Sequence, residues 1–273
     1  MMSKNTLGDR MKAYEMREAG RRTMERLPVC VRLDGRAFHS VTKNAEKPHD
    51  MTFIGFMLDV TNYLIRDTGA LIGYTQSDEI SLIFHTEGSR SQMFFDRRIM
   101  KMTSVIAAMA TAELNHLMLN HPGWRNIAIK KLPQFDCRVW NVPSKEEAAN
   151  AILWRVQDAR RNSILSTGQA NFSHNALHGK DTCDILAMLA KKEVDWNAYP
   201  LHVRYGAFIQ RRKTIRRFTV EELTQLPPKH QAHSDPDLEV ERSDIRLLLD
   251  MPYFGDVKNR VEVIFEGAEP LKD

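Results

Sequence analysis

Between residues 29 and 144 the chain reads strand, helix, hairpin, helix, strand, and few folds accept that order. "VCVRLDG" (29–35) alternates with Val29, Val31 and Leu33 on one face and stops at a glycine. "NAEKPHD" (44–50) is a loop whose Asp50 can cap a helix over 51–68, where Phe53, Met57, Val60 and Leu64 form an apolar stripe that Gly69 ends. "ALIGYTQ" and "ISLIFH" are two strands meeting at Ser77-Asp78-Glu79. A long helix is predicted over 91–119 with Phe95, Ile99, Met102 and Ile106 inward, and "FDCRVWNVPS" (135–144) is a strand ended by Pro143. This is the split-βαβ, ferredoxin-like order: an α+β fold with an antiparallel sheet and helices on one face.

The flanks are less sharply marked. A helix over 10–26 ends before Pro28, and "KEEAANAILWRVQDARRNSIL" and "DTCDILAMLAKKEVDW" are helical. "VRYGAFIQRRKTIRRF" reads as a strand pair or a strand with a basic turn, 227–244 as a polar proline-bearing loop, and "RVEVIFE" (260–266) as a final strand. The expected organisation is a catalytic domain over 5–144 and a smaller mixed region over 145–273.

Composition narrows the class. Hydrophobic residues are 42% and charged residues 27% of 273, ordinary for a folded chain. No run of about 18 apolar residues offers a membrane span. The N-terminal stretch is charged, without an apolar signal core, so cytoplasm is the expectation. Three scattered cysteines point to a reducing compartment and away from a disulfide framework. The pairs His174/His178 and His230/His233 lack partners for a tetrahedral metal site and read as solvated or structural histidines. Net charge is only +4, but cations gather in "RRKTIRR" (211–217) and "FFDRRIMK" (94–101).

The chemistry gathers at strand ends. Asp34 closes the first strand and Asp78 lies in the hairpin, and a split-βαβ sheet can make their strands neighbours. Two carboxylates so placed suit a pair of Mg²⁺ ions handling phosphate, as in the polymerase palm and nucleotide cyclases. Gly35-Arg36-Ala37-Phe38-His39 can offer successive amides to phosphates. Arg97, Arg98 and Lys101, on the predicted helix, can clamp a triphosphate.

Taken together, "VRLDGRAFHSVTKNAEKPHD", "YTQSDEISLIF", "FDCRVWNVPS" and "WRVQDARRNSI" resemble the tRNA-His guanylyltransferase family, in particular its bacterial and archaeal branch of 3′-to-5′ polymerases, over about residues 10 to 217. The resemblance implies a palm-like enzyme that adds nucleotides to tRNA 5′ ends, with Mg²⁺, ATP and GTP or another NTP, as a homotetramer. It implies Asp34 and Asp78 as metal ligands with the Gly35 carbonyl, residues 34–39 and Ser77-Asp78 as nucleotide-binding, and Lys47, Asp50 and Glu79 as further active-site positions. Asp34, Asp78 and Glu79 are thereby the expected catalytic acids. Arg155, Arg160, Asn162, Arg212 and Lys213 are the expected tRNA contacts.

One departure bears on substrate choice. "RRNSILS" (160–166) stands where the eukaryotic branch carries HINNLYN, with Arg160 in place of the histidine and Asn162 retained. That favours template-dependent repair of truncated tRNA over untemplated G addition. A palm-fold nucleotide cyclase and a non-catalytic RNA-binding module are the alternatives.

Overall fold

A computed structural model describes residues 6–87 and 93–272. The strands β1 (Val29–Gly35), β2 (Ile72–Gln76), β3 (Glu79–Phe84), β4 (Phe135–Asn141), β5 (Ala207–Arg217) and β6 (Glu239–Leu248) form one antiparallel sheet in the order β4-β1-β3-β2-β5-β6. The first four strands have the expected split-βαβ order, and β1 pairs with β3 in a register that sets Asp34 opposite Glu79.

Two layers cover the sheet. On one face lie α2 (Met51–Thr68) and α3 (Ile99–Asn120), whose Met57, Val60, Leu64, Met102, Ile106 and Leu114 pack on Val31, Leu33, Ile80 and Leu82. Asp50 caps α2 through the Phe53 amide at 2.9 Å, and Gly69 ends it in the left-handed region (φ 77). The opposite face is covered by α5 (Lys145–Asn171) and α10 (Arg260–Phe265), with Ala148, Ile152, Val156 and Val263 on Cys30, Ile72, Tyr74 and Ile83. A third cluster joins α5 to α7 (Thr182–Ala190) through Ile164, Ile185 and Leu189. Residue 144 therefore marks no break in the sheet, since β2 pairs directly with β5.

Five expectations change. The first helix, α1, ends at Ala19, ahead of Gly20. The long helix begins at Ile99, because Phe95, Asp96 and Arg97 are all left-handed (φ 48, 51 and 61), which no α-helix accepts. That turn is docked on 21–25: the Thr23 amide donates to the Arg97 carbonyl (3.0 Å), the Ile99 amide to Arg21 (2.9 Å), and Arg22 pairs with Asp96. Phe95 is consequently exposed. Residues 91 and 92 of that helix, and residue 5 of the expected first domain, lie outside the described residues. The basic run 211–217 is itself strand, and part of the expected loop 227–244 is β6. Finally, 260–266 is not a strand: the consecutive Val263 and Ile264 are both buried, as one helical face allows, and Val263 accepts a 2.6 Å hydrogen bond from Gln210. A six-residue alternation is too short to separate the two periods.

Candidate active site

β2 and β3 are joined by two residues, Ser77 and Asp78, with Gln76 and Glu79 as the closing pair. Ser77 sits at φ 49, a conformation a tight hairpin needs and a serine adopts at a cost of about 1–3 kcal/mol. Its hydroxyl donates to Asp78 Oδ1 at 3.0 Å. Across the strand boundary, the Gly35 amide donates to the Asp78 carbonyl at 3.1 Å. A Cβ on Gly35 would lie 2.7 Å from Asp78 Oδ2 and 2.5 Å from the Phe38 ring. The Asp78 carboxylate thus rests against the backbone just after Asp34, and only glycine leaves it room. The two expected acids are brought together.

Electrostatics agree. Burial pushes the Asp78 carboxyl up; the Ser77 hydroxyl and its own amide pull it back, and Asp34 adds to the rise. Burial also raises Glu79, against the hydrogen bond from Arg155. Like charges held half-buried and close ask for a counter-cation. A pair of carboxylates such as Asp34 and Asp78 is a donor set of the kind Mg²⁺ accepts when phosphate oxygens and water complete its shell. Among the described residues no group of three or more His, Cys, Asp or Glu side chains is placed to hold a metal.

Glu79 and Arg155 form a buried pair, Arg155 Nε to Glu79 Oε1 at 2.6 Å, extended by Arg155 to Asp158 at 2.8 Å. Arg155, expected at the RNA, is here buried as the tie between α5 and the hairpin that carries Asp78. Glu79 is equally committed to that tie. Pleating adds a residue that the motifs did not single out. Asp136 on β4 stands opposite Asp34, so Asp136, Asp34 and Glu79 form one row across three strands, with Arg138, Arg32 and Ser81 the next. The alternation in "FDCRVWN" was the signal that could have found it.

The remaining expected residues divide. The left-handed Ala37 (φ 54) folds the segment after Gly35 into a turn over Phe38–Ser40, with Arg36 and His39 exposed. Phe38 is buried against Phe53 and Phe135, leaving only its backbone for a ligand. A cavity of about 230 Å³ opens beside Ser77, lined by Lys47, His49, Asp50, Gln76, Asn162 and His202 among others. Both Asp50 oxygens are occupied, by the Phe53 and Glu46 amides at 2.9 Å each. Asn162, expected at the RNA, faces this same cavity. Burial lowers His49 and His202, which favours neutral imidazoles there.

Arg97, Arg98 and Lys101 lie at the turn docked on 21–25 and at the start of α3. Arg98 bridges Arg22, ahead of the start of β1. Arg97 pairs with Glu25 at 2.5 Å, and Lys101 lies over the Phe95 ring. Arg212, also expected at the RNA, is buried, with Nη1 on Glu269 and Nε on Gln210, both at 2.5 Å. Lys213 is exposed beside Glu241 at 3.1 Å. Arg160 lies over the Trp196 ring at 5.7 Å.

No helix among the described residues is long and apolar enough to cross a membrane. The family profile described as Thg1, tRNAHis guanylyltransferase, matches residues 8–143. A bacterial tRNA(His) guanylyltransferase (Thg1)-like protein, solved in complex with ATP, is 37% identical, with 75% of this chain and 88% of that one covered at a TM-score of 0.69. A bacterial Thg1-like protein in complex with GTP is 29% identical, covering 92% and 94% at a TM-score of 0.69. A probable tRNA(His) guanylyltransferase of Drosophila melanogaster is 25% identical over 201 residues, 68% of each chain. With the β1–β3 acid pair, the split-βαβ sheet and these likenesses agreeing, the chain belongs to the tRNAHis guanylyltransferase family of nucleotidyltransferase enzymes.

Proposed function

We propose that this chain is a metal-dependent nucleotidyltransferase that extends tRNA 5′ ends in the 3′-to-5′ direction, repairing truncated ends against the opposing strand. The observation that carries the reading is the close seating of Asp78 on Gly35 beside Asp34. Such a pair holds negative charge where phosphates must be received, and it fits Mg²⁺, two ions of which would neutralise phosphate oxygens and acidify the attacking hydroxyl when bound. Asp34, Asp78 and the Gly35 carbonyl would hold them.

The chain's own residues supply positioning. ATP and GTP, the ligands of the two solved relatives, are the expected nucleotides. The cavity beside Ser77 is sized and lined for part of a nucleotide, with Lys47 at its rim and Asn162 in its wall. The tRNA 5′-phosphate first attacks the α-phosphorus of ATP, forming an adenylate as pyrophosphate leaves. The 3′-hydroxyl of the incoming nucleotide then attacks that phosphorus, and AMP leaves. In both steps catalysis is chiefly orientation and charge neutralisation. Arg160 supports repair over untemplated G addition, because a guanidinium holds phosphate without reading a base. Three free cysteines among the described residues suit the cytoplasm, and a homotetramer completes the reading by analogy with the family.

The test is incorporation of each labelled NTP onto full-length tRNA-His and onto tRNAs lacking the first 5′ nucleotide. Truncated tRNA is expected to accept the nucleotide that pairs with the opposing base, faster than intact tRNA-His accepts G. A preference for intact tRNA-His with GTP, whatever base stands opposite, would overturn the repair reading.

A further inference from the structure

The row of acids borders a stretch of sheet that stays open. β4 is an edge strand, and on the α5 side its Asp136 and Arg138 are about half exposed, at 55% and 49% of their side-chain surface. The wall of this tray is the exposed face of α5, where Trp154 keeps 52% of its surface in solvent. A large exposed aromatic on a helix that otherwise buries alanine, isoleucine and valine calls for a reason. Two guanidinium groups hold the ring: Arg155 at 4.4 Å and Arg32 at 5.3 Å from its centroid. Arg155 turns inward to Glu79 on the sheet at 2.6 Å, and half of the Trp154 surface stays open to solvent. Trp154, Trp140 and Arg32 line one shallow cleft, and Arg32 Nε is buried there without a hydrogen-bond partner.

We infer that Trp154 is a stacking shelf for the 5′-terminal base of the RNA acceptor, with Arg32 and Arg138 receiving its backbone. The inference rests on the proposed reaction, which puts the RNA 5′-phosphate at Asp34. Arg32 is two residues from Asp34 along β1, about 7 Å, and its guanidinium lies over the ring, so ring and reacting end share one stretch of the sheet. An indole pinned by two cations pays little entropy to receive a base, and stacking tolerates any base, as repair of many tRNAs requires. Cations gather around the ring as well: Arg32 lies over it, Arg138 is the next in the row on β4, and Arg161, exposed and paired with Asp158, follows two turns along α5. A loose mononucleotide is the weaker occupant, because the cavity beside Ser77 already suits it.

The experiment uses a tRNA lacking its first nucleotide, with 2-aminopurine at the new 5′ end, titrated with the full chain. Stacking on Trp154 is expected to quench the probe. Trp154→Leu, which keeps an apolar body over the two cations, should abolish most of the quenching and weaken RNA binding about tenfold. Trp154→Phe should retain most of both. KM for the NTP should stay within about twofold in each variant, and melting temperatures report folding. Quenching and RNA affinity in Trp154→Leu equal to wild type would overturn the shelf, as would a rise in KM for the NTP with RNA affinity unchanged. A wild-type chain that quenches the probe yet adds no nucleotide would overturn the reaction and keep the shelf. One that adds nucleotides but shows no quenching would overturn the shelf alone.

Discussion

Asp78 carries two opposed demands. Its folded carboxyl is raised by burial above the ordinary 3.8, so its contribution to stability is present below that value and lost as pH rises through the folded value. Without divalent cations, Asp78→Asn should therefore raise the unfolding midpoint in urea at pH 7. The difference should close as pH falls below about 3.8. The same substitution, like Asp34→Asn, should lower nucleotide addition about a thousandfold or more. Wild-type turnover in both variants would remove the acids from the mechanism. Both acids were legible in the sequence, since Asp34 ends a plainly alternating strand and Asp78 sits where two strands turn. The partner of Glu79 was not, because 76 residues separate it from Arg155 and no local period relates them.

At the scale of elements, β5 shows how pairing changes the meaning of a charge run. Each cation of "RRKTIRR" meets an acceptor: Arg211 the carbonyl of Ala70 near the end of α2, Arg212 Glu269, Lys213 Glu241, Arg216 Glu222 and Arg217 Asp237. Arg212→Ala should destabilise the fold by about 1–3 kcal/mol, leaving buried Gln210 underpaired, and leave the salt dependence of tRNA binding unchanged. Lys213→Ala should move stability by no more than about 0.5 kcal/mol and the salt slope by at most about one counterion. Chemical denaturation and tRNA titrations at several salt concentrations separate the two. A large loss of slope with Arg212→Ala would return the run to the RNA. The α2 helix was read correctly to both ends because its cap and stop are local. The start of α3 was misread because its stop signal, three left-handed residues, is imposed by docking on the 21–25 segment.

For the whole molecule, the sheet is one hydrogen-bonded layer that runs across residue 144. A fragment ending at residue 144 would lose α5, β5 and α10 and bare Cys30, Ile72, Tyr74 and Ile83. At about 1.5–3 kcal/mol for each large side chain, that loss rivals the whole stability of an ordinary domain. The fragment should bind a hydrophobic dye and lack a cooperative melting transition. A sharp transition would show instead that the first half folds alone. What the sequence by itself determined was every feature written in short-range pattern: the strand–helix–hairpin–helix–strand order, the caps of α2, and acids at two strand ends. Its quoted motifs together also carried the family. Tertiary structure alone decided which strands neighbour one another at the sheet's far edge and that Arg155 and Arg212 are internal. It also decided that Asn162 faces the cavity of Lys47 and that Asp136 stands beside Asp34. The physical reason is that a charged or amide side chain is spelled the same way whether it meets water, a counter-charge or a ligand, and only the packing of distant segments supplies that partner.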